Sequence, residues 1–373
     1  MATGTAMTAM TAMTAMAGYL PSAGNNDGAT ASALLIARDG IVGKWSGATL
    51  NPPERDLNDA ANLGDWSLMV RTQVIMQDLL SRVGFAFDTT GKRPQVSMYH
   101  YDLKGTPSSK HDTFTIKAKQ MLGFTRPDHG EFEKQLELVR NYSDLRSDRL
   151  GEILTQAEMP MPFLGAVVGL HPGRMQYTHE LIGIIQSFAT QAVLTVKHAL
   201  ACQRPDAFSP QIQPVIPTPG HGTLPSGHAT ESFAAAVVLS HLTLNRMRDS
   251  STINQLLRQA GRIAVNRTIA GLHFPADSIA GVVLGLVLGQ YFVGRAKSQN
   301  SLFPAIFDGS KIGNLDFSID DFLYKGAGGG DPTVKCPAIA NVVAVESRPL
   351  SIDADYISKP LSWLWEQAES EWA

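Results

Sequence analysis

Residues 225–242 read PSGHATESFAAAVVLSHL, a Pro-Ser-Gly-His turn followed at once by a run of mostly small and apolar residues. This pattern predicts the start of a buried helix, with Ser226 capping its first turn. The free backbone N–H groups at a helix start, together with the Ser226 hydroxyl, favour a bound anion. Gly227 allows the backbone to approach that anion closely, and His228 can give or take a proton there. Taken alone, the same residues also suit an ordinary serine cap beside an exposed histidine.

The preceding basic segment, KHALACQRP at residues 197–205, places Lys197 and Arg204 seven residues apart. Because seven residues make two helical turns, the spacing predicts that both side chains project from one helix face. Pro205 predicts that the helix stops at about that point. A lysine and an arginine that converge at a helix end would hold a multiply charged oxyanion. A solvated basic face is the alternative interpretation.

The third segment, NRTIAGLHFPAD at residues 266–277, carries a second histidine and a carboxylate. Asp277 follows His273 by four residues, close enough to accept a hydrogen bond from one ring nitrogen. Such a bond would fix the tautomer and leave the other nitrogen as a nucleophile or a ligand. Arg267 supplies a further cation. The alternative for this segment is a helix-capping aspartate beside a histidine at the edge of the core.

The three segments together, K-x6-RP, PSGH and R-x5-H-x3-D, resemble the signature of the type 2 phosphatidic acid phosphatase and vanadium haloperoxidase superfamily. The resemblance covers about residues 176–295. In that superfamily a single site binds phosphate or its mimic vanadate. The resemblance implies that the oxyanion is bound by Lys197, Arg204, Ser226, Gly227 and Arg267.

The resemblance also implies roles for the remaining site residues. His228 would be the general acid–base. His273, oriented by Asp277, would be the nucleophile that forms a phosphohistidine in a phosphatase, or the axial ligand of vanadate in a haloperoxidase. Asn266 departs from the pattern, because many phosphatases have serine before the arginine.

Three features favour the haloperoxidase branch, whose cofactor is vanadate and whose partners are hydrogen peroxide, a halide and a small organic substrate. The PSGHAT run looks like the haloperoxidase form of the motif. His221, five residues before Ser226, stands where algal bromoperoxidases also have histidine, which makes it a candidate for the halide or substrate pocket. Membrane spans, which lipid-phosphate phosphatases have, are not predicted. The alternatives are a soluble phosphomonoesterase of the acid-phosphatase type, acting through a phosphohistidine on His273, and an anion-binding scaffold without activity.

The composition limits the classes of partner. The 373 residues include 31 Lys and Arg against 34 Asp and Glu, and this formal charge of −3 argues against nucleic acid or an anionic membrane as the main partner. Charged residues make up 17% of the chain, below the usual quarter, which is compatible with a surface partly covered in a homo-oligomer. Two cysteines and the lack of a convincing signal peptide predict a cytoplasmic protein. The most apolar segment, Ile279–Val293, is short and predicts a buried helix rather than a membrane span.

Helical periodicity dominates the chain and predicts an all-α fold, a helical bundle of the acid phosphatase and vanadium haloperoxidase type. We expect a flexible extension over residues 1–60, a catalytic bundle over 61–300, and a loop-rich extension over 301–373 that ends in a helix. A weak alternation between residues 85 and 109 allows a strand or two. Helices are predicted from about residue 65 and over 130–156, 176–202, 227–246, 251–270, 275–295 and 356–369.

Overall fold

The computed structural model describes residues 28–47, 49–52, 54–88, 90, 94–104, 115–243, 250–298, 302–323, 337–339, 341–350 and 356–373. Residues 1–27 of the predicted flexible extension and residues 324–336 of the predicted loop-rich extension lie outside these residues. Within the described N-terminal part, residues 31–47 are exposed throughout.

The predicted helices are present, with two differences from expectation. In chain order they are α1 (Gly28–Ile41), α2 (Leu68–Leu80), α3 (His129–Tyr142), α4 (Arg146–Glu158), α5 (Met161–Val168), α6 (Gln176–Leu200), α7 (Pro205–Phe208), α8 (Gly227–Thr243), α9 (Ser250–Ile269), α10 (Pro275–Lys297) and α11 (Lys359–Ser370). The single helix predicted over 130–156 is two helices, separated by a 3-10 turn at Ser143–Leu145. Helices α1, α5 and α7 were not predicted, and α1 lies within the extension that was expected to be flexible.

The prediction of an all-α fold is wrong, because a five-stranded mixed sheet accompanies the helices. Its strands are β1 (Val83–Asp88), β2 (Gln95–Lys104), β3 (Thr115–Thr125), β4 (Ala305–Asp308) and β5 (Val343–Val345), and they pair in that order. Strand β3 runs parallel to β4, and the other pairs are antiparallel. The C-terminal part of the chain therefore contributes two strands to the sheet.

Strand β2 shows why the sequence pattern did not predict the sheet. Its inward face carries Val96, Met98, His100 and Asp102, all buried at the period of two that a strand requires. Two of the four are polar, so the apolar alternation fades half-way along the strand. The buried His100 is satisfied by Asp102, at 2.9 Å from its Nε2, and by the hydroxyl of Tyr291 on α10, at 3.0 Å from its Nδ1.

Helices α8 and α10 form the centre of the core and pack against each other with their backbones in close approach. Every residue of α8 is buried, as is α10 from Pro275 to Ala296. Gly281, Gly285 and Gly289 lie one turn apart on α10, and a Cβ atom at each would meet α8 or the residue before it at 2.5–2.7 Å. These glycines therefore permit the close approach, and the predicted buried helix over 279–293 is confirmed. Among the described residues α10 is the one helix long and apolar enough to cross a membrane, and its apolar window is wholly buried inside the protein.

The C-terminal helix α11 closes the bundle against the start of α6. Trp365 and Trp372 are buried. The carboxylate of Glu371 accepts hydrogen bonds from the backbone N–H groups of Tyr177 and Thr178 at 2.9 and 2.8 Å. Because these N–H groups belong to the first turn of α6 and have no helical partner, Glu371 caps the helix that carries Lys197 at its other end.

Candidate oxyanion site

Lys197 lies in the last turn of α6 and is 2% exposed. Its ammonium group donates to the carbonyl oxygens of Gly222 and Thr223 at 2.7 and 2.8 Å. An ammonium has three N–H donors, so one donor remains for a ligand. Burial and the nearby Arg204 lower the pKa of Lys197 well below its usual value.

Arg204 converges with Lys197 on the same loop, although the prediction that both project from one helix face is wrong. Helix α6 ends at Leu200, Ala201 adopts a left-handed conformation, and Arg204 is extended ahead of Pro205. The residue before a proline avoids helical geometry, and this places Arg204 on the loop side. Its Nε donates to the carbonyl of His221 at 3.0 Å and its Nη1 to the carbonyl of Leu272 at 2.9 Å.

The start of α8 brings the Pro-Ser-Gly-His turn into this cluster. Ser226 and Gly227 are buried, and the Ser226 hydroxyl accepts a long hydrogen bond of 3.5 Å from the N–H of Ala229. The Ser226 N–H donates to the carbonyl of Asp277 at 2.9 Å, which ties the start of α8 to the first turn of α10. The first turn of a helix presents N–H groups with a partial positive charge, and here they lie beside buried cations.

Arg267 is the most deeply buried of the three cations and has unsatisfied donors. Its guanidinium is 1% exposed, and its Nη2 donates to the carbonyl of Ile153 at 2.9 Å. Its Nε and Nη1 have no hydrogen-bond partner among the described residues. Burial lowers the pKa of Arg267 to about 10, which leaves it a cation at neutral pH. A buried cation whose Nε and Nη1 donors are unpaired is destabilising unless an anion accepts from them, so this arginine fits an oxyanion.

His273 and Asp277 form the predicted pair, and Thr223 completes it. Asp277 Oδ2 lies 3.0 Å from His273 Nδ1 and accepts from the Phe274 N–H at 2.8 Å. The hydroxyl of Thr223 donates to the same oxygen at 2.5 Å and lies 3.1 Å from His273 Nδ1. The carboxylate therefore holds the Nδ1–H tautomer and leaves His273 Nε2 as the reactive atom, 3.4 Å from Arg204 Nη1.

The two histidines are held in their neutral forms. Burial, together with Arg204 and Lys197, lowers the pKa of His273 well below its usual value. Burial and then Arg267 lower the pKa of His228 to about 3, and its Nε2 donates to the carbonyl of Gln156 at 3.1 Å. Burial raises the pKa of Asp277 to about 6, against the lowering effect of its hydrogen bond from Thr223. A negatively charged ligand would raise the pKa of both imidazoles.

His221 lies at the edge of the same cluster. Its Nδ1 is 3.2 Å from Arg204 Nη2, and the side chain is half-buried. Burial and Lys197 lower the pKa of His221 to about 4. His221, the candidate for the halide or substrate pocket, therefore contacts the predicted oxyanion cluster.

The structure thus brings together the residues that the sequence singled out: Lys197, Arg204, His221, Ser226, Gly227, His228, Arg267, His273 and Asp277. Sequence reasoning missed Thr223, which lies between two motifs and has no signature of its own. It also missed the carbonyls of Ile153 and Gln156 on α4, because a backbone carbonyl leaves no mark on residue type. Among the described residues no group of three His, Cys, Asp or Glu side chains is arranged to hold a metal cation.

Residues 180–298 match the PAP2 superfamily, and this stretch contains every side chain named in the predicted site. For this stretch the resemblance that the three motifs predicted is confirmed: residues 180–298 are a PAP2 superfamily domain.

Two curated relatives and one solved structure are similar to parts of this chain. Two are the decaprenylphosphoryl-5-phosphoribose phosphatases of Mycobacterium tuberculosis strains CDC 1551 / Oshkosh and ATCC 25618 / H37Rv, each 31% identical over 104 residues, which are 28% of this chain and 53% of the relative. The chain spans about half the length of the curated relatives it matches. A solved structure of a bacterial vanadium-dependent iodoperoxidase is 17% identical, with a TM-score of 0.36, and the match covers 49% of this chain and 57% of that one.

Proposed function

We propose that this protein is a vanadate-dependent peroxidase that uses hydrogen peroxide to oxidise a halide. The observation that carries the proposal is the contact of His221 with Arg204 at 3.2 Å, which places a third imidazole beside the oxyanion cluster. Hydrolysis of a phosphomonoester needs two imidazoles, one as nucleophile and one as acid. A third neutral imidazole suits a reaction in which a second small molecule, hydrogen peroxide, must lose protons at the site.

The residues present fit vanadate, and Arg267 provides the test. Its Nε and Nη1, which are buried and have no partner in the described part of the chain, carry N–H donors from which an oxyanion would accept. Lys197, Arg204, Arg267, the Ser226 hydroxyl, the Gly227 N–H and His273 Nε2 would hold the oxyanion. When bound, vanadate would supply a Lewis acid that activates peroxide toward attack by halide.

The chain's own residues then have separate tasks. Asp277 and Thr223 hold the proton of His273 on Nδ1, so that Nε2 keeps its lone pair toward the anion. His221 is neutral at pH 7 because its pKa is lowered to about 4. With its Nδ1 proton directed at the Gly222 carbonyl, 3.2 Å away, it would accept a proton from hydrogen peroxide at Nε2. His228 exchanges a proton at Nδ1, because its Nε2 is committed to the Gln156 carbonyl.

A phosphomonoesterase is the second candidate, supported by the two phosphatase relatives at 31% identity. In this reaction His273 Nε2 attacks phosphorus, the P–O bond to the leaving group breaks, and protonated His228 gives its proton to the leaving oxygen. Water then attacks the phosphohistidine while neutral His228 takes a proton from it, which regenerates His273 and releases phosphate. The same cations neutralise the phosphoryl oxygens, so the phosphatase would use the whole site except His221.

Hydrogen peroxide, a halide and a small organic acceptor are the partners that the peroxidase proposal implies. The proposal also includes that the protein assembles as a homo-oligomer and that it is cytoplasmic. Light scattering of the purified protein tests the first, and cell fractionation tests the second.

The deciding experiment compares two activities in one batch of protein dialysed free of phosphate, with and without orthovanadate. Halogenation of an activated diketone is followed with bromide, iodide and chloride, and hydrolysis of an aryl phosphate is followed beside it. We expect halogenation only with vanadate, its loss in His273→Ala, and a large decrease in His221→Ala. The matched control is His198→Ala, which removes an exposed histidine one residue after Lys197 on the same helix. Hydrolysis that vanadate inhibits, without halogenation, would establish the phosphatase instead.

A further inference from the structure

Helix α4 lies outside the segment that matches the superfamily, yet two of its backbone carbonyls contact site residues. The Ile153 carbonyl accepts from Arg267 Nη2 at 2.9 Å, and the Gln156 carbonyl lies 3.1 Å from His228 Nε2. Because a carbonyl oxygen can only accept, His228 must carry a proton on Nε2. Its Nδ1 is then the only nitrogen through which it can exchange a proton.

The chain leaves the Gln156 carbonyl available for this contact. In a continuing helix that oxygen would accept from the N–H four residues later, but that residue is Pro160, which has none. Helix α4 ends at Glu158, where the Met159 N–H bonds to the Thr155 carbonyl. The end of a helix also carries a partial negative charge, which favours a cationic imidazole at this position.

A polar clamp fixes the position of α4 against α9. The carboxylate of Glu152 accepts from Arg262 at 2.7 and 2.5 Å and from Asn266 Nδ2 at 3.1 Å. Asn266 Nδ2 also donates to Gln156 Oε1 at 2.8 Å, and both of these amide side chains are fully buried. The side chain of Gln156 is thus held from α9 while its carbonyl holds His228.

We propose that Asn266 and Gln156 are positioning residues that fix the tautomer of His228, so that its acid–base reaction proceeds through Nδ1. The proposal depends on the proposed function only for the acid–base role of His228. It also explains the departure at residue 266, because a serine hydroxyl is shorter than an amide and carries a single donor, whereas Asn266 donates to both Glu152 and Gln156.

The test reads the tautomer directly by NMR of protein labelled with ¹⁵N in the histidine rings, with His228→Gln used to assign the signal. Because its pKa is lowered to about 3, His228 is neutral near pH 7, where the charged groups that act on it are Arg267 and Arg204 and the adjacent imidazole is His273. We expect a single Nε2–H tautomer in the wild type. In Asn266→Ala and in Gln156→Met, which keeps the backbone carbonyl, we expect a mixture of the two tautomers.

Turnover and a matched control complete the test. Each variant should lower kcat about tenfold with a smaller change in KM, since general acid–base catalysis contributes at least that much. The double variant should lower kcat no further than either single one, because the two side chains act through one hydrogen bond. Thr155→Ala lies on the same helix, and the hydroxyl that it removes donates to the Gly151 carbonyl. This variant should keep the wild-type tautomer and turnover.

Two results would overturn the proposal: an Nδ1–H tautomer in the wild type, or an unchanged tautomer in folded Asn266→Ala and Gln156→Met. Each variant is measured on its own, so failure of one to fold leaves the other to decide. A protein with neither halogenation nor hydrolysis would refute the proposed function, and the NMR result would still decide the role of the clamp.

Discussion

The glycine contacts between α8 and α10 lead to a prediction that links packing to activity. In Gly281→Ala the new Cβ would lie 2.6 Å from the Ser226 carbonyl oxygen and 2.8 Å from Ala229 Cβ. To reach an ordinary contact of 3.4 Å, the start of α8 must move by about 0.8 Å away from α10. The obstacle is backbone, so a side-chain rotation cannot relieve it.

The size of the effect follows from two opposing terms. Overpacking of a core costs roughly 1–3 kcal/mol. Replacing glycine by alanine inside a helix returns roughly 0.5–1 kcal/mol through backbone entropy. We therefore expect Gly281→Ala to lower the free energy of unfolding by roughly 0–2.5 kcal/mol, with a central value of about 1 kcal/mol.

The same substitution should also lower kcat. Ser226, Gly227 and His228 move with α8, whereas His273 and Asp277 lie at the start of α10. A misplacement of about 1 Å between catalytic groups can cost about a hundredfold in rate, so we expect kcat to fall between about tenfold and a hundredfold.

Urea unfolding and steady-state kinetics on the same preparation measure both quantities. The control is Gly151→Ala on α4, where a Cβ would meet nothing within 4 Å. It should stabilise the protein by roughly 0.5–1 kcal/mol and leave turnover unchanged. If Gly281→Ala behaves like this control, the close approach of the two helices does not position the site.

Three further predictions follow from buried groups. Thr223→Val removes a hydrogen bond that lowers the pKa of Asp277, so that pKa should rise from about 6 and the acid limb of the pH–kcat profile should move to higher pH. Arg267→Met removes a buried cation with unpaired donors, so thermal unfolding in phosphate-free buffer should show no loss of stability, while the stabilisation by added phosphate or vanadate should disappear. Burial raises the pKa of Glu231 to about 8, so its ionisation destabilises the folded protein as pH rises from its unfolded value of 4.5 through 8. Glu231→Gln should therefore be no more stable than the wild type at pH 4.5 and clearly more stable at pH 8.5, as measured by urea unfolding.

Each of these predictions has a contradicting result. An acid limb that stays in place in Thr223→Val would mean that Asp277 ionisation does not limit turnover. Phosphate that still stabilises Arg267→Met would place the oxyanion elsewhere. A gain in Glu231→Gln that is the same at both pH values would show that the carboxyl group does not ionise in the folded protein over this range.

The sequence predicted the site better than it predicted the fold. The spacing in the three motifs identified the site residues Lys197, Arg204, Arg267, His228 and His273. Their secondary structure was less accessible: Arg204 reaches the site from an extended segment rather than from the face of α6, since Pro205 and the left-handed Ala201 end the helix early.

Features that depend on contacts distant in the chain could not be predicted. The inward face of strand β2 could not be identified from the sequence because two of its residues, His100 and Asp102, are polar. Their burial depends on the hydrogen bonds of His100 to Asp102 and to the distant Tyr291. The Gln156 carbonyl reaches His228 across 72 residues, through a backbone atom that every residue possesses. The contact of His221 with Arg204 likewise depends on how the loop folds back over 17 residues.

The burial of Lys197 and His228 among other cations has a consequence for how the site takes up its ligand. Both groups have a lowered pKa in the free protein, and a bound anion would raise both. Anion binding should therefore be accompanied by net proton uptake, beyond the titration of the anion itself, and calorimetry in buffers of different ionisation enthalpy would count the protons. The site would thus bind protons together with the oxyanion, and its affinity for that anion would fall as the pH rises.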